Sequence, residues 1–303
     1  TAGVTRIDNS GVGTLAAGTT IGGSAVTAAV VNNSVANGRL TLTTATPLPT
    51  ADVTAATTVY YTPYNGNRIS LYDGSSAWST LTFSELSLAL TNYTAGKNYD
   101  IFAYNNSGTV ALESLVWTND TTRATAIVIQ DGVWVKTGAT TRRLLGTIRI
   151  TGTTGQTEDS LLKRYVSNVT NTFRLRLSYT VSFTVYSPGD YWSHNGTNYF
   201  GNSSSSNYAF VSTVSRPLFV NLFGQSVNLY GTWYFNYGYG LDALAYTDGS
   251  SARPTTQYTT LIKSSYLFPG AGFHTLYGIY DWGSYQANMN VSFNGLLTGE
   301  IEN

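Results

Sequence analysis

Apolar and polar residues alternate with a period of two through most of this chain, and that pattern predicts strands. Ala126 to Gln130 and Val133 to Lys136 are β-branched runs parted by Asp131-Gly132, the dipeptide that supplies the positive φ angles of a tight hairpin. From Leu144 to Thr151, Leu145, Thr147 and Arg149 alternate with Leu144, Gly146, Ile148 and Ile150, so one face can be buried while the other stays wet. Upstream, Thr58 to Thr62, Arg68 to Tyr72, 85 to 91, Tyr99 to Tyr104 and Thr109 to Trp117 read as strands, with turns at Asn65-Gly66 and Asp73-Gly74. The stretch from Thr82 to Glu85 has the form of a helix capping box, yet Leu86, Leu88 and Leu90 keep the two-residue period and favour a strand. After 172, TFRLRLSYTVSFTVY predicts a long strand, followed by others at 208 to 214, 217 to 223, 226 to 239, 258 to 264, 273 to 281 and 287 to 294. Turns are predicted between them at Pro188-Gly189, Asn195-Gly196, Asp248-Gly249, Pro269-Gly270 and Asn294-Gly295.

Two segments depart from this period. Leu161, Leu162, Tyr165, Val166 and Val169 fall at helical spacing, with Glu158 and Asp159 ahead of Lys163 and Arg164, which predicts a short helix from Glu158 to about Asn168. Residues 1–39 hold no aromatic residue and little large apolar surface, so they predict an extended arm laid on a neighbouring subunit, or a plain flexible tail. The fold class expected is all-β. The arm at 1–39 precedes a β-sandwich or barrel attachment domain over 40–157, a linking helix within 158–171, and a Tyr-rich jelly-roll-like domain over 172–303.

Composition narrows the partners. Net charge is zero and charged residues are 11%, against roughly 25% in an average domain, so no long-range field draws the chain to nucleic acid or an anionic membrane. No apolar run approaches the roughly 18 residues of a membrane helix, so membrane insertion is not expected. Cysteine is absent, which removes disulfides, thiolate metal sites and thiol nucleophiles. Since the first residue is Thr, the reading expects a processed start or an excerpt of a longer polypeptide.

Candidate chemistry is sparse. His194 has Asp190 four residues before it, a spacing that metal sites use, but both lie in a Gly/Asn/Ser-rich loop and read as exposed loop residues. His274 reads as a structural histidine in a strand. No G-x-S-x-G motif occurs at a strand-to-helix turn, and GVGTLAAG lacks the lysine of a phosphate loop. Two carboxylates brought together by folding would leave no linear motif, and the candidates for such a glycan-cleaving pair are Glu113, Asp120, Asp131 and Glu158. No cofactor, metal or catalytic residue is expected. Arg123, Arg142, Arg143 and Arg149 are candidate interface anchors on one sheet face, since Arg is enriched in buried protein contacts; a solvated strand edge is the other reading. Tyr191, Trp192 and Tyr199 in the 187–207 loop, with Tyr234 in YGTWYFNYGYG, are candidate receptor contacts, because aromatics offer flat apolar platforms with polar tips.

The chain also resembles a β-rich family of tailed-phage virion proteins, of the tail-fibre and head-fibre kind. The stretches that carry the resemblance are TTVYYTPYNGNRISLYDGSSAW, LTFSELSLAL, YDIFAYNNSGTVALESLVWTNDTTRATAIVIQDGVWVKTGATTRRLLGTIRIT and TEDSLLKRY, with PGAGFHTLYGIYDWG and GLLTGEIEN nearer the end. It spans roughly residues 40 to 303 and is densest up to about 166. The resemblance implies a virion component made in the host cytoplasm, homo-oligomeric and usually trimeric, that joins other virion proteins and turns its C-terminal domain toward a host-surface glycan or protein. It implies no catalytic residue. A capsid decoration or head-fibre protein that stabilises the shell, and a glycan-depolymerising tailspike, are the alternative readings.

Overall fold

The computed structural model describes residues 20–21, 24–25, 33–187, 198–199, 208–228, 235–242, 248–252, 259–282 and 289–302. Its regular structure is all-β, as the period of two predicts, and the strands pair almost entirely antiparallel. No helix among these residues is long and apolar enough to cross a membrane. The chain divides into Thr1–Asn32 and Asn33–Asn303. In the first unit Thr20–Ile21 pairs with Ser24–Ala25. The second begins inside the segment expected to form the arm: Gly38–Thr41 is a strand with all four residues buried.

The first half of the larger unit is a sandwich. One layer is a sheet in the order Thr109–Val116, Asn98–Asn106, Ala139–Arg149, Val133–Lys136, Ile127–Gln130, with Val166–Asn168 also paired to Ala139–Arg149. Facing it, Gly38–Thr41, Thr58–Pro63 and Leu86–Ala89 form a three-stranded sheet beside the hairpin of Arg68–Tyr72 and Trp78–Thr82. Leu40, Val59, Tyr61, Ile69, Ile101 and Ile148 fill the space between. The Asp131-Gly132 hairpin forms as read, with φ of 50° and 84° at its two turn residues and Gln130 opposite Val133.

A β-bulge alters the expected alternation along Ala139–Arg149. Leu144 pairs with Phe102 and Gly146 with Ile101, leaving Leu145 as the extra residue. Leu144, Thr147 and Arg149 therefore share a face with Phe102, Asp100 and Asn98, while Leu145 and Ile148 enter the first core. Gly146 is needed there, because a Cβ would stand 2.0 Å from the Ser167 carbonyl oxygen.

The second half is a sandwich of the jelly-roll-like kind. Arg174–Ser187, Met289–Glu302, Leu218–Asn228 and Thr259–Leu267 form one sheet in that order. Against it stands a sheet containing Phe235–Leu241, Gly272–Trp282 and Tyr208–Ser212, and the core between holds Leu177, Leu218, Val220, Tyr208, Phe210 and Leu276. Two predicted turns are strand instead. Asp248-Gly249 opens Asp248–Ala252, and Asn294-Gly295 lies within Met289–Glu302. The latter strand has ladder partners on both sides, Gln225 and Ser182 opposite Asn294, and two ladders outweigh a local turn preference.

The predicted helix is also absent. Thr157–Asp159, Lys163–Arg164 and Val166–Asn168 are short strands, and Lys163–Arg164 runs parallel to Tyr208–Ser212, so the sheet of the second half continues into the first. Glu158 pairs with Lys163 and Asp159 with Arg164 across a tight turn closed by Ser160 and Lys163 backbone bonds. Helical spacing misled because the apolar residues serve two cores: Leu162 packs on the second and Val166 on the first. A helical stripe would face only one.

Candidate functional site

The polar face of the large sheet in the first half meets the second half along a seam of arginines. Asp100 sits inside the run YDIFAY and is 1% exposed. It receives Arg123 Nε at 2.7 Å and Nη2 at 3.2 Å, with the Thr147 hydroxyl at 2.6 Å. Arg123 also donates to the Thr213 carbonyl at 2.6 Å and lies over the Trp117 ring at 4.2 Å. Arg149 donates to Asn98 and Asp120 at 2.9 and 2.8 Å and stacks 3.4 Å from the Phe273 ring centre. Phe273 N–H returns a bond to the Asp120 carbonyl. A buried carboxylate-guanidinium fork is charge-assisted and fixed in geometry, so these groups act as cross-links.

The other two arginines lie away from this seam, Arg142 further along the same face and Arg143 on the opposite one. Arg142 and Lys136 share Glu113, at 3.1 and 2.6 Å, and Arg142 covers Tyr104. Burial pushes the Glu113 carboxyl up, but its bonds to Lys136 and Arg142 outweigh this and hold it below the usual range. Arg143 goes to the opposite face from Arg149, since the bulge lies between them. There its Nη1 donates to the carbonyls of Asn33, Val35 and Ser70 at 2.8, 3.0 and 2.8 Å. Burial lowers its pKa to about 10, which leaves it charged at neutral pH. All four arginines named from the sequence thus have partners within the chain.

No family model matches the chain, and no curated protein sequence does. Among solved structures, the chain is similar to the insecticidal delta-endotoxin Cry8Ea1 from Bacillus thuringiensis at 7% identity and a TM-score of 0.26, over 82% of this chain and 49% of that one. It is also similar to infectious bursal disease virus, Gt strain, at 9% identity and a TM-score of 0.32, over 90% of this chain and 74% of that one. The chain spans about half the length of the endotoxin. Scores this low carry no argument about what the chain does.

The four carboxylates that could form a hydrolytic pair each have a separate structural partner: Glu113 with Lys136 and Arg142, Asp120 with Arg149, Asp131 with the indole N–H of Trp78, and Glu158 with Lys163. No group of three or more His, Asp or Glu residues able to hold a metal occurs among the described residues. His274 is 5% exposed, with Nδ1 2.8 Å from Asp242 and Nε2 3.0 Å from the Gly270 carbonyl. Tyr191, Trp192, Tyr234, Asp190 and His194 lie outside the described residues. Of Tyr199, the backbone pairing to Ile279 is described.

Sequence reasoning did not name Asp100, and it read Glu85 only as part of a capping box and Asp159 and Arg164 only as charges of a helix. Glu85 accepts from the Thr44 and Thr62 hydroxyls and the Ala45 N–H, which tie a loop to the Thr58–Pro63 strand. Burial pushes its carboxyl up, but these bonds outweigh that and hold it below the usual range. Beside it opens a cleft of about 620 Å³ lined by Thr62, Pro63, Asn67, Phe83, Ser84 and Glu85 among others. Its lining sets hydroxyls, an amide and a carboxylate beside Pro63 and Phe83. The signal available was Asp100 itself: a charge inside an otherwise apolar strand requires a buried partner.

Proposed function

We propose that this chain is a bacteriophage virion structural protein of the fibre type, anchored through its N-terminal part and displaying its C-terminal β domain for contact with a host-surface glycan or protein receptor. Its work is binding, not catalysis. The observation that supports this most is where the virion-like segments fall: they supply most strands of the large sheet of the first half and of its facing sheet, together with the seam strand Gly272–Trp282, a scaffold with many of its charged side chains used as internal cross-links. The four candidate hydrolytic carboxylates each have their own partner, an ion pair for Glu113, Asp120 and Glu158 and the Trp78 indole for Asp131, which favours a binding role over glycan cleavage. The cleft beside Glu85 is the described surface best suited to a sugar.

The test is cryo-electron microscopy of intact particles with this protein located by its side-chain density, together with incubation of the purified chain on host polysaccharide. Density at the tail and no new reducing ends are expected. Copies spread over the head lattice would replace the fibre reading with a decoration protein, and released reducing ends would replace the binding role with a depolymerase.

A further inference from the structure

The cleft beside Glu85 lies where four strand ends of the first half come together. Thr58–Pro63 and Trp78–Thr82 end at it, and Arg68–Tyr72 and Leu86–Ala89 begin beside it. Phe83 N–H donates to the Asn67 carbonyl, which ties two of these ends, and the Phe83 ring stacks 4.9 Å from Tyr61 in the core. Glu85 is the charged group of the lining. A carboxylate offers about four lone-pair positions. Here Oε2 accepts from the Ala45 N–H and the Thr62 hydroxyl, each at 2.6 Å, whereas Oε1 accepts only from the Thr44 hydroxyl. One acceptor position on Oε1 therefore stays open. Among the described residues no Lys, Arg or His nitrogen lies within 4.0 Å of Glu85, while Asp100, Glu113, Asp120, Glu158 and Asp159 each have such a partner. Neutral donors alone hold this charge. The Ala45 bond also keeps that residue at φ of 54°, a left-handed conformation that a non-glycine residue enters at a cost, so the fold maintains a strained backbone beside the carboxylate. Around the cleft, Asn67, Thr82 and Ser84 are exposed, and their side chains make no hydrogen bond within the described residues.

We infer that this cleft binds an amino sugar, a saccharide unit that carries a free primary amine beside its hydroxyls. The inference rests on the glycan arm of the proposed function and names the class of glycan. An ammonium supplies the cation that Glu85 lacks and a donor for the open position on Oε1, and a hydrogen bond with both partners ionised is of the strong kind. The hydroxyls of the same ring meet Asn67, Thr82 and Ser84, which exchange water for ligand without breaking a bond of the fold. Pro63 offers an apolar surface to the ring's C–H groups. The alternatives fit less of this lining. An acidic sugar meets a like charge at Glu85, and a neutral or N-acetylated one leaves that charge without a counter-ion. A lysine side chain satisfies Glu85 but leaves Asn67, Thr82 and Ser84 to water. The volume of about 620 Å³ also falls within the range of small-ligand sites, about 300 to 1,000 Å³.

The test is isothermal titration calorimetry of the purified full chain with a β-1,4-linked glucosamine tetramer, set against the fully N-acetylated tetramer and against tetralysine. The free-amine tetramer should bind, and the other two should bind about fivefold or more weakly, because each lacks either the charge or the hydroxyls. Glu85→Gln should weaken the free-amine tetramer about fivefold or more and bring its affinity to that of the N-acetylated one. Since Glu85→Gln also loosens the loop at Thr44 and Ala45, the double variant Asn67→Ala/Ser84→Ala supplies the second arm. It removes no hydrogen bond of the fold, so its melting should stay that of the parent while the free-amine tetramer binds several-fold more weakly. No binding of the free-amine tetramer, equal affinity for the N-acetylated one, or a double variant that binds as the parent does would each overturn the inference. Tetralysine bound as tightly as the amino sugar would overturn it too and assign the cleft to a cationic peptide. Particles that carry this protein at the tail, with no binding by the isolated chain, would leave the fibre reading standing and remove only this site.

Discussion

Gly132 and Gly146 are glycines of the same sheet that the fold requires for different reasons. At Gly132 the backbone is left-handed, with φ of +84°, and a Cβ would meet nothing within 4 Å. At Gly146 a Cβ would strike the Ser167 carbonyl, which is backbone and cannot yield. Gly132→Ala should therefore cost about 1 kcal/mol, and Gly146→Ala about 3 kcal/mol or more; urea denaturation of the two variants compares them. Two carboxylates give pH dependences of opposite sign. For Asp242, burial pushes the carboxyl up, but the His274 bond and the Thr275 N–H outweigh it and the folded value lies below 3.8. Its stability contribution is complete above about pH 4 and is lost as pH falls through the folded value. Asp159 is pushed up to about 6 by burial, with Arg164 and then Arg39 opposing, so in the fold its charged form is disfavoured and its contribution grows as pH falls through about 6. The stability of the parent relative to Asp159→Asn should thus rise between pH 7 and 5. Relative to Asp242→Asn it should stay flat there and shrink below about pH 4, as acid titration followed by circular dichroism will read. The sequence shows that Asp242 and Asp159 are acidic; their opposite shifts arise from neighbours brought in from other strands.

Among the elements, the stitch from Thr157 to Asn168 is the least legible in the sequence and the most consequential for joining the two halves. Its strands are two or three residues long, too short for a period to declare itself, and Leu162 and Val166 serve different cores. The long hairpin strands were legible because each presents one face to one core over four or more residues. Removing either member of the buried Asp159-Arg164 pair, 7% and 6% exposed, leaves an uncompensated charge. Arg164→Ala should destabilise by about 3 to 5 kcal/mol. In a double-mutant cycle with Asp159→Ala, the coupling should exceed about 1 kcal/mol. Additive losses by chemical denaturation would mean that the pair does not join the halves.

At the scale of the whole molecule, the boundary between Asn32 and Asn33 decides how much of the N-terminus can be removed. Val35 accepts from Ser70 N–H and Arg143, and Arg39 bonds Pro47 and Asn171 while covering Phe173 at 4.1 Å. Deleting residues 1–32 should leave the melting temperature within about 2 °C of the full chain. Deleting 1–39 should lower it by at least about 5 °C, because buried donors lose their acceptors; differential scanning calorimetry separates the two, and equal melting would place the start of the fold later. The sequence by itself determined the all-β class, the strand positions over most of the described residues and the tight turns at Asn65-Gly66, Asp73-Gly74 and Asp131-Gly132, because these follow from side-chain period and from backbone angles that a few residues set locally. Only the tertiary structure decided the bulge at Leu145, the strand through Asn294-Gly295, the stitch in place of a helix and the intramolecular partners of Arg123, Arg142, Arg143 and Arg149. Each of these depends on which distant backbone carbonyl, carboxylate or aromatic ring arrives beside a residue, and no local pattern encodes an arrival from as far as 110 positions away, the separation between Arg143 and Asn33.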